Sequence, residues 1–308
     1  ITMAQKIMLD MDPGIDDAAA IAVAVNHPDL NVSLITTVAG NVSVDKTTKN
    51  ALKLLEFFHR EDIPVAAGAS KPLKKAFADA ANIHGESGMP GYDFPEPTIK
   101  PIEDDAVTAM HKVLQTSSQP VTLIATGAYT NVATLFQNYP FDLVNIDEVI
   151  LMGGSVSGGN VSSVAEFNIF TDPDAAKIVM EAPVKKTMIG LDVTLKALIT
   201  PETMAAITQM GKAGNMLSHI ITAYGDVHEG GKPMHDVNTI LYAVDPSCMT
   251  VKDGAVDVVT EGPAAGATVW DFQHRWHEND FVNATIGVDV DAERFNEWFL
   301  AQVQQMNA

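Results

Sequence analysis

The chain has 308 residues, of which 46% are hydrophobic and 19% are charged, ordinary values for a globular protein. Asp and Glu number 39 against 19 Lys and Arg, so the formal charge is −20. This acidity argues against a nucleic-acid polymer or an anionic membrane as the main partner, because both would repel the protein.

Strands and helices are predicted to alternate over the first part of the chain. An apolar strand at residues 8–12 precedes a helix at 16–26, and a β-branched run at 31–38 precedes a helix at about 45–60. A short strand at 64–67 completes a β-α-β-α-β order. This order is typical of a parallel sheet that is covered by helices on both faces.

Residues 69–101 break the alternation, since they are rich in proline and glycine. A long irregular segment inside a compact domain is more often a functional loop than a linker. We therefore expect a functional loop here, and it contains His84.

The alternation resumes after this loop and changes character near the C-terminus. The predicted helices are 104–116, 131–138, 172–181, 200–211, a further helix to about 224, 237–244 and a terminal helix from 291. The predicted strands are 121–126, 148–152, 186–191, 255–260, 267–271 and 282–288, with polar or glycine-rich loops at 158–168 and 225–232. The sequence thus predicts one α/β domain over residues 1–308. Its open, mostly parallel, Rossmann-like sheet is flanked by helices, with a small β addition near the C-terminus.

The turn after the first strand carries four carboxylates within eight residues: Asp10, Asp12, Asp16 and Asp17. In a dry pocket these charges would repel one another strongly, so a bound cation is expected to compensate them. A helix start commonly carries an aspartate, and this ordinary role could explain Asp16 or Asp17. It does not explain Asp10 and Asp12, which precede the turn.

Other polar residues also follow predicted strands, and ligands bind beyond the carboxyl ends of the strands in an open parallel sheet. Asn41 and Thr126 each follow a strand, and Asn160 lies in the polar loop after a third. Asn41 and Asn160 could equally be turn residues or helix caps. Carboxylates with a backbone carbonyl at Thr126 would form an all-oxygen set, which suits Ca²⁺ or Mg²⁺ rather than Zn²⁺.

Two histidines lie in glycine-rich loops beside acidic residues, His84 and His235. Each could be a catalytic group or an ordinary surface residue, and the sequence favours neither. The single cysteine, Cys248, excludes an intramolecular disulfide and fits a reducing compartment. No apolar run approaches the roughly 20 residues that span a bilayer, and residues 1–5 lack a signal-peptide layout, so we expect a cytoplasmic location.

These motifs resemble the sequence blocks of the nucleoside hydrolases, and they cover nearly the whole chain in order. The blocks are Asp10-Met11-Asp12-Pro13-Gly14-Ile15-Asp16-Asp17, Thr37-Val38-Ala39-Gly40-Asn41, His84-Gly85-Glu86-Ser87-Gly88, Met152-Gly153-Gly154, Ala165-Glu166-Phe167-Asn168 and Met234-His235-Asp236. Within this inosine-uridine preferring family, the chain is most similar to the bacterial non-specific ribonucleoside hydrolases. Residues 127–131 depart from the family's Gly-Pro-Leu-Thr-Asn, but a carbonyl ligand at Thr126 tolerates this change.

The resemblance implies a Ca²⁺-dependent N-glycosidase that acts on purine and pyrimidine ribonucleosides as a homodimer or homotetramer. Asp12, Asp17, Asp236 and the Thr126 carbonyl would hold calcium, and Asp10 would orient them from behind. Asp12 would also deprotonate the attacking water, and His235 would protonate the leaving base.

The same resemblance implies the residues that bind substrate. The ribose would be bound by Asp16, Asn41, Asn160, Glu166, Asn168 and Asp236, with Met152 and Phe167 lining the sugar pocket. His84 would contact the base. From their position in or beside the glycine-rich loop, Tyr224 and His228 are further candidates for base contacts, although either could equally face solvent.

Two other functional classes fit part of the pattern. A phosphatase of the haloacid dehalogenase type also begins with Asp-x-Asp after a strand, but it needs a different continuation and a later lysine for the phosphate. A non-catalytic ribose- or nucleoside-binding protein would leave the four clustered aspartates unexplained.

Overall fold

The structure is a computed structural model that describes residues 3–278 and 280–308. Its strands are β1 (Gln5–Met11), β2 (Leu30–Thr37), β3 (Val65–Ala67), β4 (Val121–Ala125), β5 (Ile146–Met152), β6 (Lys186–Ile189), β7 (Leu198–Ile199), β8 (Lys232–Pro233), β9 (Met249–Gly254), β10 (Val256–Val258), β11 (Thr268–Trp270) and β12 (Ala284–Val290). Its α-helices are α1 (Ile15–Asn26), α2 (Val44–Phe57), α3 (Ala81–His84), α4 (Ala106–Thr116), α5 (Thr130–Asn138), α6 (Phe167–Thr171), α7 (Pro173–Glu181), α8 (Leu191–Thr194), α9 (Pro201–Thr208), α10 (Gly211–Thr222), α11 (Val237–Val244) and α12 (Ala292–Gln304). Short 3-10 helices lie at Pro140–Asn145 and Pro246–Cys248.

The central sheet has eight strands in the order β3-β2-β1-β4-β5-β6-β12-β9. Neighbouring strands are parallel from β3 to β12, and only the edge strand β9 runs antiparallel to its neighbour. Small antiparallel pairs, β7–β8 and β10–β11, complete the strand pairing. The predicted α/β class with a mostly parallel sheet and a small β addition is confirmed.

The order of the strands reverses between β1 and β4. From β1 the chain moves to β2 and β3 on one side, whereas β4, β5 and β6 continue on the other. A crevice forms at such a switch point, outside the carboxyl ends of the strands. Asp12 follows β1 and Thr126 follows β4, so both lie at this crevice.

Two apolar cores cover the two faces of the sheet. Helices α1, α2, α10, α11 and α12 pack in one core, and α4, α5 and α7 pack in the other. Helix α1 is buried along almost its whole length, because it lies under the sheet and among other helices of the first core. The small alanine side chains permit this close packing. The packing in turn fixes the position of the N-terminus of α1.

Several element boundaries differ from those predicted. The predicted strand at 255–260 is shorter in the structure, where β10 covers Val256–Val258, and the preceding strand β9 was not predicted. Most of β9 is exposed at the sheet edge, so its polar residues gave no apolar signal. Strand β6 ends at Ile189, and the predicted loop at 158–168 ends earlier because α6 begins at Phe167.

The segment 69–101 is irregular apart from the single turn α3, as predicted. It is fixed at the crevice by backbone hydrogen bonds, from Ala80 N to Asn41 O at 2.9 Å and from Gly225 N to Ile83 O at 3.0 Å. It therefore forms one wall of the crevice. Within residues 3–278 and 280–308, we find no helix whose length and apolar character would suit a membrane span.

Candidate active site

A cavity of about 380 Å³ lies at the crevice between β1 and β4. Most of the residues predicted for the site line it: Asp16, Asn41, His84, Thr126, Met152, Asn160, Glu166, Phe167, Asn168, Tyr224, His235 and Asp236. Asp10, Asp12 and Asp17 are buried beside it. The fold thus gathers residues that are more than 200 positions apart in the chain.

The carboxylate of Asp17 is held at the start of α1 by four donors. Its Oδ2 accepts from Gly14 N at 3.2 Å and from Asn41 Nδ2 at 3.0 Å. Its Oδ1 accepts from the Thr126 hydroxyl at 2.9 Å and from Asp12 N at 3.3 Å. A helix N-terminus favours negative charge, so this position suits a carboxylate.

Three carboxylates, Asp16, Asp17 and Asp236, each place an oxygen within 4.8 Å of the others. Asp12 Oδ1, Asp16 Oδ1 and Asp236 Oδ2 are buried and accept no hydrogen bond within the described chain. Buried oxygens of this kind are costly unless a cation or another donor satisfies them. The all-oxygen donor set therefore fits a hard divalent cation.

The predicted metal ligands differ in how close they lie to this set of three carboxylates. Asp17 and Asp236 belong to the close set, which Asp16 joins, although the resemblance implied a ribose ligand at Asp16. Asp12 lies beside the set and contacts Asp17 through its backbone amide. The Thr126 hydroxyl bonds to Asp17, while its carbonyl accepts from the Asn168 amide at 2.9 Å.

Burial raises the pKa of every carboxyl group in the cluster, and their mutual charge adds to the effect for most of them. The pKa of Asp16 rises to about 7 because of burial and the charge of Asp17. The pKa values of Asp12 and Asp236 rise well above their usual range, from burial and the charges of neighbouring aspartates. A cation would remove this repulsion and keep the cluster ionised.

Asp12 and Asp10 are aligned by backbone and amide groups. Asp12 Oδ2 accepts from Asn41 N at 2.8 Å. A Cβ atom at Gly40 would lie 2.1 Å from the same oxygen, so only glycine fits there. Asp10 Oδ1 accepts from the Thr36 hydroxyl at 2.6 Å and from Asn131 Nδ2 at 2.8 Å, behind the cluster. Burial raises the pKa of Asp10 to about 6.

Glu166 caps the short helix α6 and thereby positions Asn168. The Glu166 carboxylate accepts backbone N–H groups from Gly154 at 2.9 Å and Asn168 at 2.8 Å. The Asn168 side chain then donates to the carbonyls of Thr126 at 2.9 Å and Met152 at 3.0 Å. Glu166 and Asn168 thus present polar groups to the cavity from a preorganised helix start.

Asn160 is the most exposed of the predicted ribose ligands. Its side-chain oxygen accepts from Phe167 N at 3.0 Å, across the mouth of the polar loop. Because Asn160 is exposed and lines the cavity, its side chain also remains accessible to a ligand. The turn role and the binding role that the sequence left open are therefore compatible at this residue.

His84 enters the cavity from the wall formed by residues 69–101. Its Nδ1 accepts from Ile15 N at 3.1 Å, so the neutral ring carries its proton on Nε2. Burial and the charge of His235 lower the pKa of His84 to about 3, which keeps the ring neutral. The rings of His84 and Tyr224 lie 5.2 Å apart between centroids, as a paired aromatic surface.

His235 lies opposite, and both of its ring nitrogens have protein partners. Nδ1 is 2.7 Å from the Thr194 hydroxyl, and Nε2 is 3.0 Å from Asp226 Oδ2. Burial tends to lower the pKa of His235, but the Asp226 hydrogen bond and the charges of Asp16 and Glu166 raise it overall. An imidazolium next to a cavity can donate a proton.

Sequence reasoning missed Asp226 and Thr194. Asp226 lies in the predicted loop 225–232. Its position two residues before His228 was the one feature of the sequence that could have indicated a carboxylate–histidine contact. His228 binds Asp226 and does not belong to the described residues that line the cavity. Nothing in the sequence around Thr194 indicated its contact with a histidine 41 residues later.

Comparison with known proteins identifies the family. The sequence profile described as "Inosine-uridine preferring nucleoside hydrolase" matches residues 7–297. The chain is 43% identical over 301 residues to the non-specific ribonucleoside hydrolase RihC of Salmonella paratyphi B, with 97% of each chain covered.

Two solved structures are also similar. A purine-preferring ribonucleoside hydrolase from Gardnerella vaginalis has a TM-score of 0.91 and 31% identity, covering 97% of this chain and 98% of that chain. The plant nucleoside hydrolase PpNRh1 has a TM-score of 0.89 and 31% identity, covering 97% and 99%. The chain therefore belongs to the inosine-uridine preferring nucleoside hydrolase family and is an enzyme of that class.

Proposed function

We propose that this enzyme hydrolyses the N-glycosidic bond of purine and pyrimidine ribonucleosides to ribose and free base, with bound Ca²⁺. One observation carries the proposal most directly. Buried carboxylate oxygens without partners among the described residues lie beside a cavity with many groups that can bind sugar hydroxyls. The breadth of substrates is supported by the 43% identity to RihC, a non-specific ribonucleoside hydrolase.

Asp12, Asp17, Asp236 and the Thr126 carbonyl are the residues we propose for holding the cation, with Asp16 close to them. Their oxygens suit Ca²⁺, which binds six to eight oxygen ligands in flexible geometry. When bound, the ion supplies positive charge that compensates the cluster and lowers the pKa of a water beside it.

The residues of the chain divide the proton transfers between them. Asp12 accepts a proton from the attacking water through Oδ1, which is free of other described donors. The water oxygen bonds to the anomeric carbon while the C–N bond breaks, and the base leaves with the electron pair. His235 gives the proton on Nε2 to a nitrogen of the base. The transition state is oxocarbenium-like, so negative groups beside the sugar stabilise it.

Amides and carboxylates bind vicinal hydroxyls with forked hydrogen bonds, and the cavity offers both. We assign the ribose to Asp16, Asn41, Asn160, Glu166, Asn168 and Asp236, with Met152 and Phe167 as apolar contacts. His84 and Tyr224 contact the base. The described lining contains no lysine, which a haloacid dehalogenase-type phosphatase would need.

We also propose a role in nucleoside salvage, a cytoplasmic location and a homodimeric or homotetrameric assembly. The salvage role and the assembly follow from the resemblance, and the single cysteine fits the reducing compartment that a cytoplasmic location implies. Light scattering after size-exclusion chromatography measures the assembly directly. A monomeric mass would contradict it.

The activity is tested by incubating the enzyme with inosine and with uridine and assaying reducing sugar. We expect ribose from both nucleosides, loss of activity with a chelator and recovery with Ca²⁺. If neither nucleoside yields ribose in the presence of Ca²⁺, the proposed function is wrong. If a chelated enzyme keeps full activity, the metal assignment is wrong while the activity stands.

A further inference from the structure

One carboxylate joins two imidazoles in the segment between α10 and α11. Asp226 Oδ2 is 3.0 Å from His235 Nε2, and Asp226 Oδ1 is 2.6 Å from His228 Nε2. The Asp226 side chain also lines the cavity, next to His235. None of the residue roles considered so far uses this carboxylate.

The segment that carries Asp226 is anchored on both sides. Lys232 Nζ donates to the carbonyls of Ile221, Thr222 and Tyr224 at 2.9, 2.7 and 2.8 Å, at the end of α10. The adjacent Gly225 donates to Ile83 O at 3.0 Å, and a Cβ atom there would approach the same oxygen to 3.0 Å. Asp226 is therefore held in one place, although its loop has no regular structure.

The two hydrogen-bond partners of His235 differ in which protonation of the ring they permit. The Thr194 hydroxyl at Nδ1 can donate or accept, so it is compatible with either tautomer of the ring. Asp226 is an ionised acceptor: burial tends to raise its pKa, but the hydrogen bonds and charges of His235 and His228 lower it overall. An ionised carboxylate only accepts, so Nε2 must carry a proton.

We propose that Asp226 is a positioning residue for His235, holding its ring with the protonated Nε2 at the base end of the cavity, while His228 fixes the carboxylate. The proposal rests on the proposed function, in which Nε2 protonates the leaving base. In the acid form the ring carries a proton on both nitrogens, with the Nδ1 proton donated to the Thr194 hydroxyl and the Nε2 proton donated to Asp226. The leaving base takes the Nε2 proton from its contact with Asp226, and the ring is left neutral with its proton on Nδ1. The ring does not need to turn during the reaction.

The first test is a double-mutant cycle with Asp226→Asn and His235→Ala. The amide of asparagine can donate as well as accept, so it no longer enforces the tautomer. We expect Asp226→Asn to lower kcat for inosine at least about tenfold, and to change kcat for p-nitrophenyl riboside less than about twofold, because that leaving group departs without a proton. In the His235→Ala background the same substitution should have no further effect on inosine.

Three more variants separate the position of the Asp226 carboxylate from its charge. Glu229→Gln removes one negative charge from an exposed residue of the same loop, so it should leave both substrates unchanged. His228→Ala frees Asp226 Oδ1 and should lower inosine turnover less than Asp226→Asn does, again with p-nitrophenyl riboside spared. Asp226→Glu keeps the acceptor and should restore part of the lost activity.

The ring itself gives a readout that does not depend on turnover. Imidazole ¹⁵N chemical shifts distinguish the tautomers of the neutral ring, so at a pH above its pKa His235 should be in the Nε2–H form in the parent enzyme and a mixture in Asp226→Asn. An unchanged tautomer, equal losses on both substrates or additive losses in the cycle would each overturn the proposal. Failure of the proposed function would appear differently, as a parent enzyme that releases no ribose.

Discussion

The two ends of the cavity are built in different ways. At the metal end, carboxylates follow β1 and start α1, where backbone amides and side-chain amides hold them in place. At the base end, His84 ends the single turn α3, while Tyr224 and Asp226 follow the end of α10, and both segments are anchored by a few hydrogen bonds. One end is a cluster of carboxylates, and the other is a group of imidazoles with one phenol and the carboxylate of Asp226.

This difference separates the tasks that each end can perform. A cluster that needs a cation and activates water acts on the sugar, which every ribonucleoside shares. Imidazoles around the leaving group act on the base, which differs between substrates. Substitutions at the metal end should therefore affect all substrates alike, whereas those at the base end should depend on the leaving group.

The largest effect is expected for Asp12→Asn, which removes the proposed base without changing side-chain size. Turnover should fall by about 10²–10⁴-fold, because an amide cannot accept the proton of the attacking water. The loss should be similar for inosine, uridine and p-nitrophenyl riboside. Steady-state kinetics with the three substrates measures it.

A matched control for this variant is Asp45→Asn, in the first turn of α2 and outside the described lining of the cavity. It should have parent-like kinetics. Circular dichroism should show that both variants keep the fold. Parent-like rates in Asp12→Asn would remove Asp12 as the base.

His235→Ala should have the next largest effect, and only where the base needs a proton. Turnover of inosine should fall by about 10²-fold, whereas p-nitrophenyl riboside should change little. The comparison of kcat for the two substrates tests this at saturating concentration. Equal losses would show that the base end does not act through the leaving group, and the division between the two ends would fail.

Metal removal should make the stability of the folded protein depend on pH. Folding raises the pKa of Asp10 to about 6 and of Asp16 to about 7, chiefly through burial, from unfolded values near 4. A raised pKa means that the folded state binds more protons, so this stabilisation is complete below about pH 4 and is lost as the pH rises through 6 to 7. The chelated protein should thus melt at a lower temperature at pH 8 than at pH 5.5.

Saturating Ca²⁺ should restore the melting temperature at pH 8, since the ion binds the ionised cluster of the folded state. Differential scanning fluorimetry with and without chelator measures both curves. Asp16→Asn should weaken the pH dependence of the chelated protein. A chelated melting temperature that rises between pH 5.5 and 8 would contradict the expected sign.

The metal end was predictable from sequence because its geometry is regular. A strand followed by a tight turn and a helix start brings Asp12 and Asp17 together, and strand ends share one edge of a parallel sheet. Thr126 follows another strand of that edge, so its place followed from the same rule. The closeness of Asp16 to Asp236 could not be predicted by this rule, because the orientation of α11, which begins after Asp236, depends on tertiary packing.

The base end was less predictable because irregular segments have no periodic pattern. The motifs singled out His84 and His235, but no spacing rule connects Thr194 or Asp226 with a ring that they contact through tertiary packing. At the C-terminal edge, β9 was missed for a related reason. An exposed edge strand is defined by its backbone pairing, and its side chains do not alternate in hydrophobicity.

The smallest effect is expected for Tyr224→Phe, which keeps the ring beside His84 and removes only the hydroxyl. Burial and nearby carboxylates raise the pKa of Tyr224 well above its usual range, so its hydroxyl is a neutral donor. One hydrogen bond to the base corresponds to a KM increase of about 2–10-fold, with kcat nearly unchanged. Tyr92→Phe, in an aromatic cluster with Phe57, is the matched control and should leave KM unchanged. A large fall of kcat with p-nitrophenyl riboside in Tyr224→Phe would place this phenol in the chemistry at the sugar, and the boundary between the two ends would then lie on the other side of Tyr224.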